Sequence, residues 1–83
     1  MYEVEITSDG LRRLSQLPPK IRDAALASVF GPIAENPARR GKPLLGELQW
    51  LRSARRGDYR IIYQIVDEER SIIIHRIHQA VGP

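Results

Sequence analysis

Residues 48–77 read LQWLRSARRGDYRIIYQIVDEERSIIIHRI. Three runs rich in Ile, Val, Tyr and Trp, about Leu48–Arg55, Tyr59–Val66 and Ser71–Ile77, are separated by Arg56-Gly57-Asp58 and Asp67-Glu68-Glu69-Arg70. Both separators have the length and composition of hairpin turns, so the stretch predicts an antiparallel three-stranded meander. In Tyr59–Val66 the period of two puts Arg60, Ile62, Gln64 and Val66 on one face and Tyr59, Ile61, Tyr63 and Ile65 on the other. The nearly continuous apolar runs Ile61-Ile62 and Ile72-Ile73-Ile74 imply that both faces are at least partly covered.

What covers the sheet lies upstream. Tyr2, Val4 and Ile6 alternate with Glu3 and Glu5, the period of a half-buried strand. Thr7 or Ser8 then offers a helix cap, and Leu11, Leu14 and Leu17 recur at helical spacing, predicting a helix from about Asp9 to Gln16 that Pro18 and Pro19 end. Pro19 also suits the first position of a second helix, whose buried stripe is Ile21, Ala25, Val29 and Ile33. Gly31 and Pro32 interrupt that helix, because a proline removes one backbone hydrogen bond and clashes with the preceding turn. Residues 37–47, mixed in Pro, Gly and Arg, read as an ordered loop. The expected fold is a single α+β domain spanning residues 1–83. Two N-terminal helices pack on a twisted, antiparallel, four-stranded sheet in the order β-α-α-β-β-β.

At 83 residues the chain buries only roughly 60–65% of its unfolded surface, so a deep interdomain cleft is excluded. Zero cysteines exclude disulfide scaffolds, thiolate catalysis and cysteine-ligated zinc, and make the cytoplasm the default compartment. No apolar run approaches the length of about 20 residues that a membrane span needs, and MYEVEITSDG lacks the blocks of a signal peptide. The net charge of +3 is unevenly placed: residues 39–60 hold seven basic and two acidic side chains, while the remainder is slightly acidic. Eleven of the thirteen basic residues are Arg, whose fork matches phosphate bidentately, so the block fits either a polyanion partner or a solvated basic face.

The other chemistry-bearing residues are sparse. His75 and His78, three apart on a strand, are expected on opposite faces, which excludes a histidine pair or a shared metal. Asp67, Glu68 and Glu69 fall in a turn as a solvated cluster. No phosphate loop, Ser-His-Asp order or dinucleotide fingerprint occurs, and neither a metal nor a cofactor is expected. Arginine on β remains: Arg52, Arg55 and Arg60 lie on two strands joined by a tight turn and are expected to converge. Arg60 is then either a surface residue paired with Asp58 or Glu47, or a phosphate ligand.

The run SARRGDYRIIYQI (53–65), preceded by NPARRGKPLLGEL (36–48) and a paired-helix half, resembles the RelE branch of the RelE/ParE superfamily of type II toxin–antitoxin toxins, over residues 2 to about 78. The resemblance implies a cytoplasmic, ribosome-dependent, metal-free mRNA endoribonuclease, in which the RNA 2′-hydroxyl attacks the adjacent phosphate. It also implies a RelB-like antitoxin wrapped around the toxin in a hetero-oligomer. Arg60 matches the phosphate-binding strand arginine and Arg55 a basic position upstream; these two are the catalytic expectations. Arg52 replaces the strand lysines of some members only if the register slips by one residue. With Arg56, Lys42 and Tyr59 it makes up the expected RNA surface. The family's C-terminal basic residue falls on Ala80 and its tyrosine is absent from His78-Gln79-Ala80-Val81-Gly82-Pro83, which implies attenuated cleavage. Two alternatives remain: a ParE-like inhibitor of DNA gyrase, and a RelE-like module that binds without cutting.

Overall fold

Tyr59–Val66 becomes the middle strand of a five-stranded sheet. The computed structural model describes residues 1–80. It begins with β1 (Glu3–Ile6), α1 (Ser8–Ser15) and α2 (Pro19–Ser28), continues through α3 (Pro37–Arg40) and β2 (Lys42–Pro43), and ends with β3 (Arg52–Arg56), β4 (Tyr59–Val66) and β5 (Ser71–Gln79). The strands lie in the order β1-β5-β4-β3-β2. The α+β class and the meander agree with expectation. The four-stranded, all-antiparallel sheet does not: β1 runs parallel to β5, and β2 is an additional edge strand whose Lys42 and Pro43 pair with Ser53 and Arg52. Alternation in Tyr2–Ile6 marks a strand but carries no information on its partner's direction. β2 escaped notice because it is two residues long, and its proline, which cannot donate to a ladder, is confined to an edge.

Thr7 caps α1, its hydroxyl oxygen accepting from the Gly10 N–H at 3.0 Å. Pro19 opens α2 at its first turn, and Ala25, Val29 and Ile33 are buried along the expected stripe. The interruption falls where Gly31 and Pro32 dictate it: Val29–Ile33 form a wide turn in which Gly31 (φ −109°, ψ −105°) leaves helical geometry. Residues 37–47 hold α3, β2 and the start of a 3-10 turn (Gly46–Leu48) in place of a plain loop, and β3 begins at Arg52 rather than Leu48.

The core lies between the helices and one sheet face, where Leu14, Ala25, Val29 and Ile33 meet Ile61, Tyr63, Ile72, Ile74 and Ile77. The opposite face is only partly covered. Leu44 and Leu51, joined by a 2.9 Å backbone hydrogen bond from the Leu44 N–H, approach Ile62 on that side.

Two local features set the faces of the strands. Gly57 (φ +60°) turns β3 into β4 in a two-residue hairpin, the first position of which needs the left-handed region. Between β4 and β5 the register jumps from Ile62↔Arg76 to Tyr63↔Ile74, leaving His75 as the extra residue of a β-bulge. Past the bulge the alternation restarts, so Ile74 and Ile77, three apart, are both buried. His75 and His78 consequently share the outer face, which corrects the expectation that they point apart.

Candidate functional site

Strand parity divides the basic residues into two groups. On β3, Ser53 and Arg55 point to the outer face, and Arg52, Ala54 and Arg56 to the helix side. Arg55 pairs with Arg60, Arg60 with His78, and Lys42 with Ser53. These pairings make a rung of two guanidiniums and an imidazole, Arg55–Arg60–His78, next to a second rung of Lys42, Ser53, Ile62 and Arg76. Arg40, Lys42, Ser53, Arg55 and Arg60 line an open cleft of about 410 Å³. Among the described residues, Arg40, Lys42, Arg55 and Arg60 form no ion pair with a carboxylate. Asp58 and Glu47, the candidate partners for Arg60, do not engage it. Arg55 makes one contact, from Nε to the Gly57 carbonyl at 3.2 Å.

The cleft shares Leu44 as a wall with a second one of about 600 Å³, whose lining includes Leu48, Leu51, Ile62, His75, Arg76 and His78. His75 Nε2 donates to Gln64 Oε1 at 3.1 Å, and its ring meets Trp50 edge-on at 5.5 Å between centroids. Burial pushes the His75 pKa below the ordinary histidine value, so this imidazole takes up a proton less readily than an exposed one. Asp9, at the far wall, is held below the usual carboxylate range by hydrogen bonds from Arg12 and then Arg13. Among the described residues no group of His, Cys, Asp or Glu is assembled for a metal ion.

The family is recognisable from sequence and fold together. Residues 5–80 match the family described as the ParE toxin of the type II toxin–antitoxin system parDE. The chain belongs to this toxin family. Within it, the chain is 51% identical over 75 residues to the Toxin RelE of Mycobacterium tuberculosis, covering 89% of this chain and 77% of that one. It is 44% identical over 80 residues to the Toxin RelG of the same organism, covering 95% and 92%. The crystal structure of the RelBE2 toxin–antitoxin complex of M. tuberculosis superposes with a TM-score of 0.93 at 41% identity, over 98% of this chain and 93% of that chain. Isolated Escherichia coli RelE, at 18% identity, shares the fold with a TM-score of 0.83 over 100% and 88%. The chain is a RelE-like toxin of a type II toxin–antitoxin system.

In the toxin, the structure gathers three of the six expected site residues, Arg60, Arg55 and Lys42, and sends three to the other side of the sheet. Arg52 Nη2 donates to the carbonyls of Ala38 (2.7 Å) and Gly41 (2.5 Å), so its guanidinium ties α3 to the sheet. It therefore does not converge with Arg55 and Arg60, since residues three apart on a regular strand face opposite ways. Tyr59 is buried, its hydroxyl 3.1 Å from Ser28 Oγ, and is a core residue. Arg56, paired with Tyr59, lines a different cleft against Ala24, Ala27 and Pro32 of the helix layer.

The latch at Arg52 has a second member. Tyr63, fully buried, donates its hydroxyl to the Pro37 carbonyl at 2.6 Å, and burial raises its pKa, an effect the nearby Arg52 guanidinium partly offsets. Gly41 lies against it: a Cβ there would sit 2.6 Å from the Tyr63 hydroxyl and 3.1 Å from the Ser53 carbonyl. Glycine at 41 is thus required by close approach. Together these contacts hold the turn between α3 and β2, and so place Arg40 and Lys42 at the cleft mouth. Sequence reasoning missed Arg40, whose signal was its place just before Gly41, and missed the bulge that brings His75 and His78 to one face.

Proposed function

We propose that the toxin cuts mRNA on the ribosome as a metal-free endoribonuclease, and that a RelB-like antitoxin in a hetero-oligomeric complex silences it. The carrying observation is the Arg55–Arg60 pair, two arginines directly opposite in the β3–β4 register that line one cleft and, among the described residues, form no ion pair with a carboxylate. A phosphodiester seated there neutralises the pair and receives forked hydrogen bonds, which strengthen as charge builds on its oxygens during attack by the neighbouring 2′-hydroxyl. Arg40 and Lys42 at the mouth suit flanking phosphates, which position the strand without reading its sequence. A cleft lined by four cations repels a divalent metal ion, and catalysis by alignment plus charge stabilisation suits a substrate that the ribosome already presents.

The 41%-identical relative solved as a RelBE2 complex supports the antitoxin reading, as does the basic face, which an acidic antitoxin segment would complement and be steered to. The family's ParE description favours a second reading, inhibition of DNA gyrase; the 51% identity to a RelE toxin favours the first. Purified toxin added to a translation reaction, with primer-extension mapping of the mRNA, separates them. The expected result is discrete cleavages that require ribosomes, with gyrase supercoiling untouched. Gyrase inhibition with intact mRNA supports the second reading, and ribosome binding without cleavage leaves the toxin a binding module.

A further inference from the structure

Cleavage by 2′-hydroxyl attack needs a group that removes the hydroxyl proton, and guanidinium and ammonium groups such as those of the phosphate cleft carry donors and no acceptor. Within the two joined clefts the proton acceptors are His75, His78 and Asp9. Asp9 is committed to Arg12 and Arg13. His75 is engaged through Nε2 by Gln64 and screened by Trp50. His78 differs from both. It pairs directly with Arg60 in the β4–β5 ladder, so it is the residue beside the phosphate-binding arginine. Its Nδ1 lies 3.1 Å from the Gln79 carbonyl, an oxygen that only accepts, so Nδ1 carries the proton and Nε2 keeps its lone pair.

We infer that His78 is the general base of the toxin's RNA cleavage, a role that rests on the endoribonuclease reading above. Its Nε2 takes the 2′-hydroxyl proton as the 2′-oxygen bonds to phosphorus. The bond from phosphorus to the 5′-oxygen breaks, and that oxygen takes a proton from solvent. The products are a 2′,3′-cyclic phosphate and a 5′-hydroxyl, and His78 returns its proton to water. The charged and titratable groups that face this imidazole are Arg60 on β4, with Arg55 beyond it on β3, Arg76 and His75 on β5, and Asp9 on α1. The bulge at His75 is what makes the site possible, since without it His78 would face the helices.

The test is the pH–rate profile of ribosome-bound mRNA cleavage for the parental toxin, His78→Ala and His75→Gln, each with its melting temperature. The parental rate is expected to rise with pH, as it does for a reaction that needs its general base unprotonated. His78→Ala should flatten that limb and lower the rate about a hundredfold to ten-thousandfold with melting unchanged, while His75→Gln keeps the limb. A second arm uses mRNA with a 5′-bridging sulfur at the scissile bond, a leaving group that needs no proton. His78→Ala should remain slow on it, as a missing base demands. Parental pH dependence retained in His78→Ala, transfer of its loss to His75→Gln, or rescue of His78→Ala by the sulfur substrate overturns the assignment. A parental toxin that cuts nothing overturns the endoribonuclease reading itself, a distinguishable failure.

Discussion

Arg55 and Arg60 stand directly opposite one another across the β3–β4 pair, in the same register as His78 on β5. Like charges so placed weaken a sheet, and neither arginine is compensated by a carboxylate among the described residues. The toxin therefore keeps a locally unfavourable pair at the point where its outer face opens into a cleft. The cost of such a pair to the free protein is the reason to separate stability from activity in every substitution made there.

Arg60→Ala removes one member of that pair. Folding should be unaffected or slightly improved, since a repulsion is lost and no ion pair is broken. Cleavage should fall about a hundredfold to a thousandfold, the usual effect of losing one donor to a developing oxyanion. Arg60→Lys should recover only part, because the ammonium keeps the charge and loses the fork. Melting and cleavage measured on the same preparation decide it, and a variant that melts early yet cuts at the parental rate overturns the role given to Arg60.

Arg52 should behave in the opposite way. Its guanidinium donates to two backbone carbonyls on the helix side of the sheet, and hydrogen bonds from charged groups contribute about 1.5–3 kcal/mol each. Arg52→Met is expected to lower the urea midpoint and, by loosening the turn that carries Arg40 and Lys42, to weaken cleavage per folded molecule far less than Arg60→Ala does. A normal midpoint combined with lost cleavage would return Arg52 to the RNA surface.

How legible this was depended on one rule applied to two pairs of residues. Alternation on a strand sends residues three apart to opposite faces, which holds for Arg52 and Arg55 and splits the expected patch. The same rule fails for His75 and His78, because His75 is itself the extra residue of the bulge. A bulge follows from pairing two strands in register, and single-strand periodicity does not contain it. The same limit hid the parallel β1–β5 pairing. What depended only on local chemistry, the Gly57 turn, the Gly31–Pro32 interruption and the Val29/Ile33 stripe, could be read directly.

Gly41 and Tyr63 should couple. Gly41→Ala drives a Cβ to 2.6 Å from the Tyr63 hydroxyl and should displace it from the Pro37 carbonyl, with a loss of about 1–3 kcal/mol for the buried bond. Tyr63→Phe loses the same bond but removes the oxygen that the new methyl meets. The double variant should therefore be less destabilised than the sum of the singles, and strict additivity in denaturant melts would show that the two side chains do not share one contact.

The last expectation concerns acid. Burial holds the His75 pKa below its ordinary value, so the folded protein resists protonation that the unfolded chain accepts. Stability rises with pH wherever the unfolded state binds more protons. The contribution is thus full above the unfolded histidine value of about 6.5. It is lost as pH falls from there through the lower folded value. Asp9 behaves alike in sign, its lowered pKa giving stability that is kept above the ordinary carboxylate value and lost as pH drops through the folded one, but its window lies at much lower pH. Between pH 7.5 and 5 the two do not overlap. Urea midpoints of the parental toxin should decline across that interval, and those of His75→Gln, which keeps an amide near Gln64 but cannot titrate, should decline less. Equal declines in both proteins would mean that the imidazole beside Trp50 is not desolvated in solution.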